Sequence, residues 1–362
     1  MTSLWNENIE MLRKAPPEMQ VQLDVQTERA IERFVSFVDG CIDSDEDAVK
    51  HPLWGEFRNW ADWNLTLLVS KASDLTSVMV CDGFERVRGS IGKPDRYEDI
   101  MAEVQFAAEL MRAGFTVRFV KESKGEKTPD LEAQLGSDTI RIELTRIGRS
   151  ATTQEVFSFI DAGNWDMPEF DGLAVELRLL RIASEPRRTE IRQKLAEVAR
   201  RVHDTGEAQA FSIEKLAEGS IAPARAPGGR TIQIGGPNIG SDETGRVAHR
   251  IREKAHQLPS NVPGFVVIFD SELTGLNSSN GAAFAEAIEE RVFEHPHLGA
   301  LLVAHSYIDF RVESLQVRRE NWAMWRKIGP GFYVEERLLI LNKYARWPVN
   351  QKLLQALGCP SE

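Results

Sequence analysis

Helix-like and strand-like hydrophobic patterns alternate along this chain after residue 97, and this alternation constrains the fold more than any other feature of the sequence. Apolar residues recur at three- and four-residue spacing over Glu98–Ala113, which predicts an amphipathic helix that ends at Gly114. Three strand-like runs follow, over Phe115–Val120, Pro129–Leu135 and Thr139–Thr145. A helix and strands alternating on this scale predict an α/β sheet with helices on its faces.

The alternation returns near the end of the chain and sets the predicted domain organisation. Residues 1–93 are predicted to form a helical region, with a linker at Gly89–Asp95, and residues 94–362 an α/β domain with an insertion at about 150–240. Basic residues between 178 and 194 predict a solvated helix face or, alternatively, a rim that contacts phosphates. The later elements are predicted as helices over Gly245–Leu258 and Ala282–Phe293 and as strands over Gly264–Asp270, Leu301–Ala304 and Phe332–Leu341.

Two acidic residues stand on the second and third predicted strands. Residues 136–138 form a predicted turn, so these strands can pair as a hairpin. Because side chains alternate between the faces of a strand, Asp130 and Glu143 can then lie on neighbouring strands and on the same face. Two carboxylates and a nearby main-chain carbonyl, that of Leu144, suit a hard divalent cation such as Mg²⁺. Such an ion can activate water and neutralise charge on a phosphodiester.

This order of elements and acidic residues resembles the PD-(D/E)XK nuclease superfamily. The resemblance covers residues 97–145 and, more loosely, 245–305, about a third of the chain. It implies a restriction-endonuclease-like mixed central sheet flanked by helices, beside the helical N-terminal region. It also implies that Asp130 and Glu143 hold Mg²⁺ or Mn²⁺, that Glu103 on the first helix assists them, and that the activity is that of a nuclease. The implied substrate is nucleic acid, DNA in preference to RNA, and the dimers common in the superfamily allow a homodimer.

The sequence departs from the pattern of the superfamily at one position. The motif lysine should stand at position 145, where this chain has Thr145, whose neutral hydroxyl is a very weak base. Either another residue has taken over the role of the lysine, or the fold has lost catalysis and binds nucleic acid or a protein partner. A third hypothesis is an unrelated α/β protein that has no site here.

Two residues could take over the role of the motif lysine. Lys254 lies on the predicted helix Gly245–Leu258, in register with the apolar stripe of that helix, and so projects toward the sheet. Gln257, three residues further on, is its predicted companion. Arg141 stands two residues before Glu143 on the same face, where it could stabilise phosphate charge but could not act as a base.

The chain is acidic overall, but its charge is unevenly distributed. It has 44 Lys and Arg residues against 55 Asp and Glu, a net charge of −11, which argues against bulk attraction to nucleic acid or anionic lipid. Residues 1–60 carry six basic and twelve acidic side chains, whereas residues 301–362 carry nine basic and six acidic ones. A polyanion is therefore expected to bind only locally, in the middle or at the end of the chain.

The sequence also indicates the compartment of the protein. No apolar run reaches the roughly 20 residues that span a bilayer, and the acidic N-terminal residues do not fit a signal peptide. We therefore expect a cytoplasmic protein without a membrane partner.

Trp322 and Trp325 stand beside basic residues, as in platforms that stack on bases, but packing in the core is their predicted role.

Overall fold

The helices and strands of the protein are given by a computed structural model. It describes residues 25–44, 47, 50–53, 62–121, 128–148, 168–180, 185–224, 231–235, 243–270, 281–308, 315–328 and 333–360. The helices are α1 (Val25–Asp39), α2 (Asp62–Val78), α3 (Glu85–Ile91), α4 (Tyr97–Arg112), α5 (Glu185–Thr205), α6 (Glu243–Ala255), α7 (Gly281–Phe293) and α8 (Gln351–Ala356). The strands are β1 (Thr116–Phe119), β2 (Leu131–Leu135), β3 (Asp138–Ile147), β4 (Leu173–Leu179), β5 (Gln209–Ile213), β6 (Ala217–Pro223), β7 (Thr231–Gly235), β8 (Gly264–Asp270), β9 (Leu298–Ile308), β10 (Gln316–Arg318), β11 (Trp322–Ile328) and β12 (Tyr333–Leu341). Within these described ranges, no helix combines the length and the apolar character that crossing a membrane requires.

The chain divides into two compact units. The first comprises Met1–Ile147 and Glu243–Glu362, and the second comprises Gly148–Asp242. The second unit spans nearly the same residues as the predicted insertion at 150–240, and the predicted boundary at residue 93 lies inside the first unit. The predicted domains themselves, 1–93 and 94–362, stay a prediction.

The first unit is built on an eight-stranded mixed sheet in the order β1-β2-β3-β8-β9-β12-β11-β10. β1, β2 and β3 are antiparallel neighbours, β8 runs parallel to both β3 and β9, and the strands from β9 to β10 are again antiparallel. The parallel pairs are joined through helices, as parallel neighbours require. The prediction of a mixed α/β fold with a large sheet flanked by helices is confirmed.

The sheet of the first unit separates two hydrophobic cores. One core contains apolar residues of α1 to α4 together with Ile142 and Leu144 of β3. The other contains apolar residues of α6 and α7 together with Val266 and Ile268 of β8. Because side chains of a strand alternate between faces, Glu143 of β3 lies on the face that α6 covers.

One prediction at the level of elements needs correction, and one strand was not predicted. The linker predicted at Gly89–Asp95 is wrong in its first half, because α3 continues to Ile91, which is fully buried together with Val87. The burial of Trp322 and Trp325 confirms that they pack in the core, but they do so from the unpredicted strand β11. Four consecutive buried residues, from Trp322 to Trp325, hide the alternation that marks a strand.

The second unit contains a four-stranded sheet in the order β5-β6-β4-β7, and apolar residues of α5 share a core with it. β5 and β6 were not predicted from the sequence. Several of the described basic residues of this unit pair with acidic neighbours on its surface. The Arg178 guanidinium lies 3.3 Å from the Glu218 carboxylate, and Lys194 Nζ donates to Glu197 at 3.0 Å. Such pairs are typical of the solvated face that the sequence predicts.

Candidate active site

The hairpin of β2 and β3 brings together the two predicted acidic residues. The strands are antiparallel, with Leu131 opposite Ile142, and a two-residue turn at 136–137 joins them. Asp130 directly precedes β2, and its Oδ2 accepts a hydrogen bond of 2.8 Å from the main-chain N–H of Leu144. This bond fixes the Asp130 carboxylate beside Glu143, so the predicted hairpin and its juxtaposition of acids are confirmed.

Lys254 reaches both carboxylates from α6. Its Nζ donates to Glu143 Oε2 at 2.9 Å and lies 3.9 Å from Asp130 Oδ2. It also donates to Gln257 Oε1 at 3.0 Å, although Gln257 lies in the turn that follows α6 rather than on the helix itself. Glu143 and Lys254 are 111 positions apart in the chain, and the fold alone brings them together.

A residue that the sequence did not predict, Arg86 of α3, completes the cluster. Its guanidinium forms an ion pair with Glu103 of α4, the third predicted acid. The same guanidinium donates to the main-chain carbonyl of Asp130 at 3.2 Å and lies 3.5 Å from Asp130 Oδ1. The side chain of Arg86 is only 13% exposed, so these are contacts of a largely desolvated cation.

The turn before α3 fixes the position of Arg86. Gly83 adopts φ +76°, and a Cβ at this position would lie 1.9 Å from the carbonyl oxygen of Phe119 in β1. The main-chain N–H of Phe119 donates to the carbonyl of Asp82 at 2.9 Å. Only glycine combines this φ with so close an approach of two backbones. The start of α3 is thereby attached to β1, and Arg86 follows within one turn of the helix.

Burial and mutual repulsion dominate the electrostatics of the acids. Burial, and then the charge of Asp130, raise the pKa of Glu143 to about 8, against the opposing effect of Lys254. The same two causes raise the pKa of Glu103 to about 8, against the opposing effect of Arg86. Burial by itself would lower the pKa of Lys254, but the charges of Asp130 and Glu143 outweigh it and the pKa is raised. The ammonium of Lys254 is therefore held in its charged form.

The two remaining predicted residues lie on β3. Thr145 is half-buried and stands opposite Ile268 of β8, two residues beyond Glu143. The guanidinium of Arg141 pairs instead with Glu132 of β2, at 3.2 Å. Of the two candidates for the role of the motif lysine, the structure therefore brings Lys254 to the acids and directs Arg141 to another partner.

The residues present fit a divalent cation that takes two protein carboxylates. Glu143 Oε1 is buried and has no hydrogen-bond partner among the described residues, so it keeps free lone pairs next to Asp130. Mg²⁺ is commonly held by one or two carboxylates, with water and substrate oxygens completing its shell. Where the structure describes the chain, no cluster of three or more His, Cys, Asp or Glu side chains is arranged to hold a metal. Glu103 is turned toward Arg86, so Asp130 and Glu143 are the carboxylates suited to the ion.

Comparison of the chain with protein-family models, with curated proteins and with solved structures gives no match. The interpretation of the site therefore depends on its own residues and their geometry.

Proposed function

We propose that this protein is a metal-dependent nuclease of the PD-(D/E)XK type that hydrolyses phosphodiester bonds, with DNA in preference to RNA as substrate. One observation carries the proposal. Lys254 arrives from α6 beside Asp130 and Glu143, with Nζ 2.9 Å from the Glu143 carboxylate. Lys254 would supply the lysine that the motif of the superfamily requires, because the motif position itself holds Thr145.

The order of elements around the site supports the same proposal. α4, β1, β2 and β3 follow one another, and α6 then leads into β8, which pairs in parallel with β3. A restriction-endonuclease-like core is expected to have this order, with the acids on the two strands of the hairpin. The parallel pairing of β3 and β8 places α6 over the face from which Glu143 projects.

Each residue of the cluster has a proposed role. Asp130 and Glu143 would hold Mg²⁺ or Mn²⁺, with the main-chain carbonyl of Leu144 as the predicted third ligand. When bound, the ion would lower the pKa of water and neutralise charge on the phosphodiester. Lys254, which stays protonated, can donate hydrogen bonds to phosphate oxygens and stabilise the charge that develops on them. Gln257 accepts from Lys254 and so orients it.

One observation favours a second candidate, a nuclease-like protein without catalysis that binds nucleic acid or a protein partner. Lys254 is in direct contact with Glu143, and such an ion pair can be purely structural. The two candidates differ in a measurable way, because only the first requires the acids and Lys254 for cleavage.

Cleavage assays distinguish the candidates. Plasmid and single-stranded substrates would be incubated with Mg²⁺ or Mn²⁺ and with the wild type, Asp130→Ala, Glu143→Ala or Lys254→Ala. We expect each variant to lose activity by at least about a hundredfold, because each removes a charged group that acts on the reacting phosphate. Equal residual activity in all four proteins would contradict the proposal of a nuclease. It would favour the second candidate, the nuclease-like protein without catalysis.

Two matched controls lie close to the site. Glu132→Ala removes a carboxylate of β2 two residues from Asp130, and that carboxylate pairs with Arg118 and Arg141 rather than with Lys254. Arg250→Ala removes a cation one turn before Lys254 on α6, and that cation pairs with Glu253. Both controls should keep wild-type cleavage, so that a loss specific to the three site variants cannot be attributed to the local change of charge.

A further inference from the structure

Exposed aromatic and basic side chains stand together in the segment that follows β12. Tyr344 is 62% exposed and Trp347 is 46% exposed, and these two are the exposed aromatic residues among those whose side chains the structure describes. Lys343 and Arg346 are also exposed. These four residues, Lys343, Tyr344, Arg346 and Trp347, are called the aromatic–basic surface below.

The backbone of this segment is held firmly in place. Asn342 is buried, and its side-chain amide donates to the carbonyls of Val292 at 3.0 Å and Leu298 at 2.9 Å. The indole N–H of Trp347 donates to the carbonyl of Ser260 at 3.3 Å. The exposed rings therefore do not have to be ordered when a ligand binds, which favours binding because less conformational entropy is lost.

A cation lies against the rings of the surface. Lys343 Nζ is 5.4 Å from the centre of the Tyr344 ring and 4.8 Å from that of Phe293. Tyr344 in turn packs edge-on against Phe293, with ring centres 5.4 Å apart. A positive charge thus sits next to an exposed aromatic face, which is the combination that binds bases and phosphates together.

The charge of the segment is opposite to that of the chain as a whole. Residues 342–352 include three basic side chains, Lys343, Arg346 and Lys352, and no acidic one, whereas the chain has a net charge of −11. A polyanion repelled by most of the chain would therefore be attracted here.

We infer that the aromatic–basic surface binds single-stranded nucleic acid, with unpaired bases stacked on Tyr344 and Trp347 and phosphates in contact with Lys343 and Arg346. Bases within a duplex already stack on one another, so exposed side-chain rings can stack only on unpaired bases. The inference rests on the proposed function in one respect, that the substrate is nucleic acid, and it adds which strand form the protein selects.

Two hydrogen bonds link the segment that carries the surface to parts of the chain near the candidate active site. Ser260, which accepts from Trp347, follows three residues after Gln257, the partner of Lys254. Asn350 donates from its side chain to Asp138 at the start of β3, five residues before Glu143. The rise of a strand makes this last separation about 17 Å. The segment that carries the surface is thus attached to two of the elements that position the candidate active site.

Binding would be measured by the fluorescence anisotropy of a labelled oligothymidylate, in EDTA so that no metal-dependent cleavage occurs. We expect Trp347→Ala to weaken binding about tenfold, the usual effect of losing one base–ring stack. Trp347→Phe, which keeps a ring, should recover most of the affinity. Ile328→Ala removes a large side chain that is 56% exposed on β11 and serves as the control that should bind as the wild type does.

Two further measurements separate stacking from charge. An abasic strand of the same length keeps the phosphates and lacks the bases that stack on both rings, so it should bind about a hundredfold more weakly than oligothymidylate. Replacing Lys343 and Arg346 by Ala should reduce the slope of log affinity against log salt by about 1.4, since each phosphate contact contributes about 0.7 on single strands.

Three outcomes would overturn the inference. The first is that Trp347→Ala and Tyr344→Ala bind as the wild type does, and the second is that the abasic strand binds equally well. The third is that the wild type self-associates in sedimentation without nucleic acid and Trp347→Ala does not, which would assign the surface to a second copy of the chain. None of these measurements involves cleavage, so a failure of the proposed nuclease activity would be seen separately.

Discussion

At the scale of single residues, the candidate active site is a balance of buried charges. Asp130, Glu143 and Glu103 contribute carboxylates, and Lys254 and Arg86 contribute cations that each contact more than one acidic residue or its main chain. Removing one member of such a group leaves a desolvated partner without compensation, which costs more than the intact pair contributes. The contact of Arg86 with Glu103 allows this statement to be tested apart from any activity.

We predict that, above about pH 8 where Glu103 is ionised, Arg86→Gln lowers the free energy of unfolding by about 2 kcal/mol, because it leaves the buried Glu103 carboxylate without its cation. Glu103 can bind a proton, and this limits the loss. The double variant Arg86→Gln/Glu103→Gln should recover most of it, since two neutral amides replace the pair. Urea unfolding of the wild type, Arg86→Gln, Glu103→Gln and the double variant measures the coupling between Arg86 and Glu103 directly.

The control for this prediction is Arg118→Gln. Arg118 also pairs with an acid on the hairpin, Glu132, but its side chain is half exposed. Exposed pairs contribute at most about 1 kcal/mol, so this variant should change stability little. Equal losses in the two arginine variants, or a double variant that is no more stable than Arg86→Gln, would contradict the assignment of Arg86 to Glu103.

The candidate site was predictable from the sequence in part, and the reason is the range of the contacts. Asp130 and Glu143 lie within one hairpin, whose turn and two-residue period are local signals. Lys254 was predictable because a charged residue interrupts an apolar helical stripe. Arg86 carries no such signal: it lies on a short helix, and its partners lie 17 and 44 positions away. Only the folded chain shows that contact.

At the scale of elements, α3 depends on close backbone packing at its end. A Cβ on Gly92, the residue after α3, would lie 1.9 Å from the carbonyl oxygen of Cys41, which follows α1. A Cβ on Gly89, inside α3, would have no neighbour within 4 Å. Replacing each of these two glycines by alanine should therefore change the free energy of unfolding in opposite directions.

We predict that Gly92→Ala lowers the free energy of unfolding by about 2 kcal/mol or more, because two backbones must separate to admit the methyl group. Gly89→Ala should raise it by up to about 1 kcal/mol, because alanine restricts the unfolded chain and favours the helix. Urea unfolding followed by circular dichroism measures both values. Two substitutions of equal effect would show that the packing of α3 against the residues after α1 does not limit stability.

The elements themselves were predictable where apolar residues recur in the sequence at a regular spacing. α4 and the strands of the β2–β3 hairpin have such a spacing, and their predicted and observed bounds differ by one or two residues at most ends. β11 does not have it, because four consecutive residues of this strand are buried by the sheet and the helices around it. Sheet order was not predictable, since the pairing of β9 with β12 depends on contacts far apart in the sequence.

At the scale of the whole first unit, a buried ion pair joins α4 to the end of the chain. The guanidinium of Arg337, in β12, is 2% exposed and donates through both terminal nitrogens to Glu109 of α4, at 2.7 Å each. It also donates to the carbonyl of Leu357, just after α8, at 3.0 Å. Glu109 and Arg337 are 228 positions apart, so this pair connects the beginning of the sheet region to its last strands.

The ion pair between Glu109 and Arg337 leads to a prediction about how the stability of the protein depends on pH. Burial by itself would raise the pKa of Glu109, but the hydrogen bonds and charge of Arg337 outweigh it and the pKa is lowered. A carboxyl whose pKa is lower in the folded protein than in the unfolded chain stabilises the fold above the unfolded pKa, about 4.3. That contribution is lost as the pH falls through the lower pKa of the folded protein. We therefore predict that Glu109→Gln lowers the free energy of unfolding by about 3 kcal/mol at neutral pH, and that the difference from the wild type shrinks below about pH 4.

Urea unfolding over a pH series measures this difference, with Glu253→Gln as the control. Glu253 pairs with Arg250 on the exposed surface of α6, so its substitution should cost less than about 1 kcal/mol at any pH in the series. A loss in Glu109→Gln that stays constant down to pH 3 would mean that the amide disturbs packing rather than an ionised contact. A loss that shrinks with falling pH shows that the ionised carboxylate of Glu109, through Arg337 and Lys327, holds β11, β12 and the turn after α8 against α4.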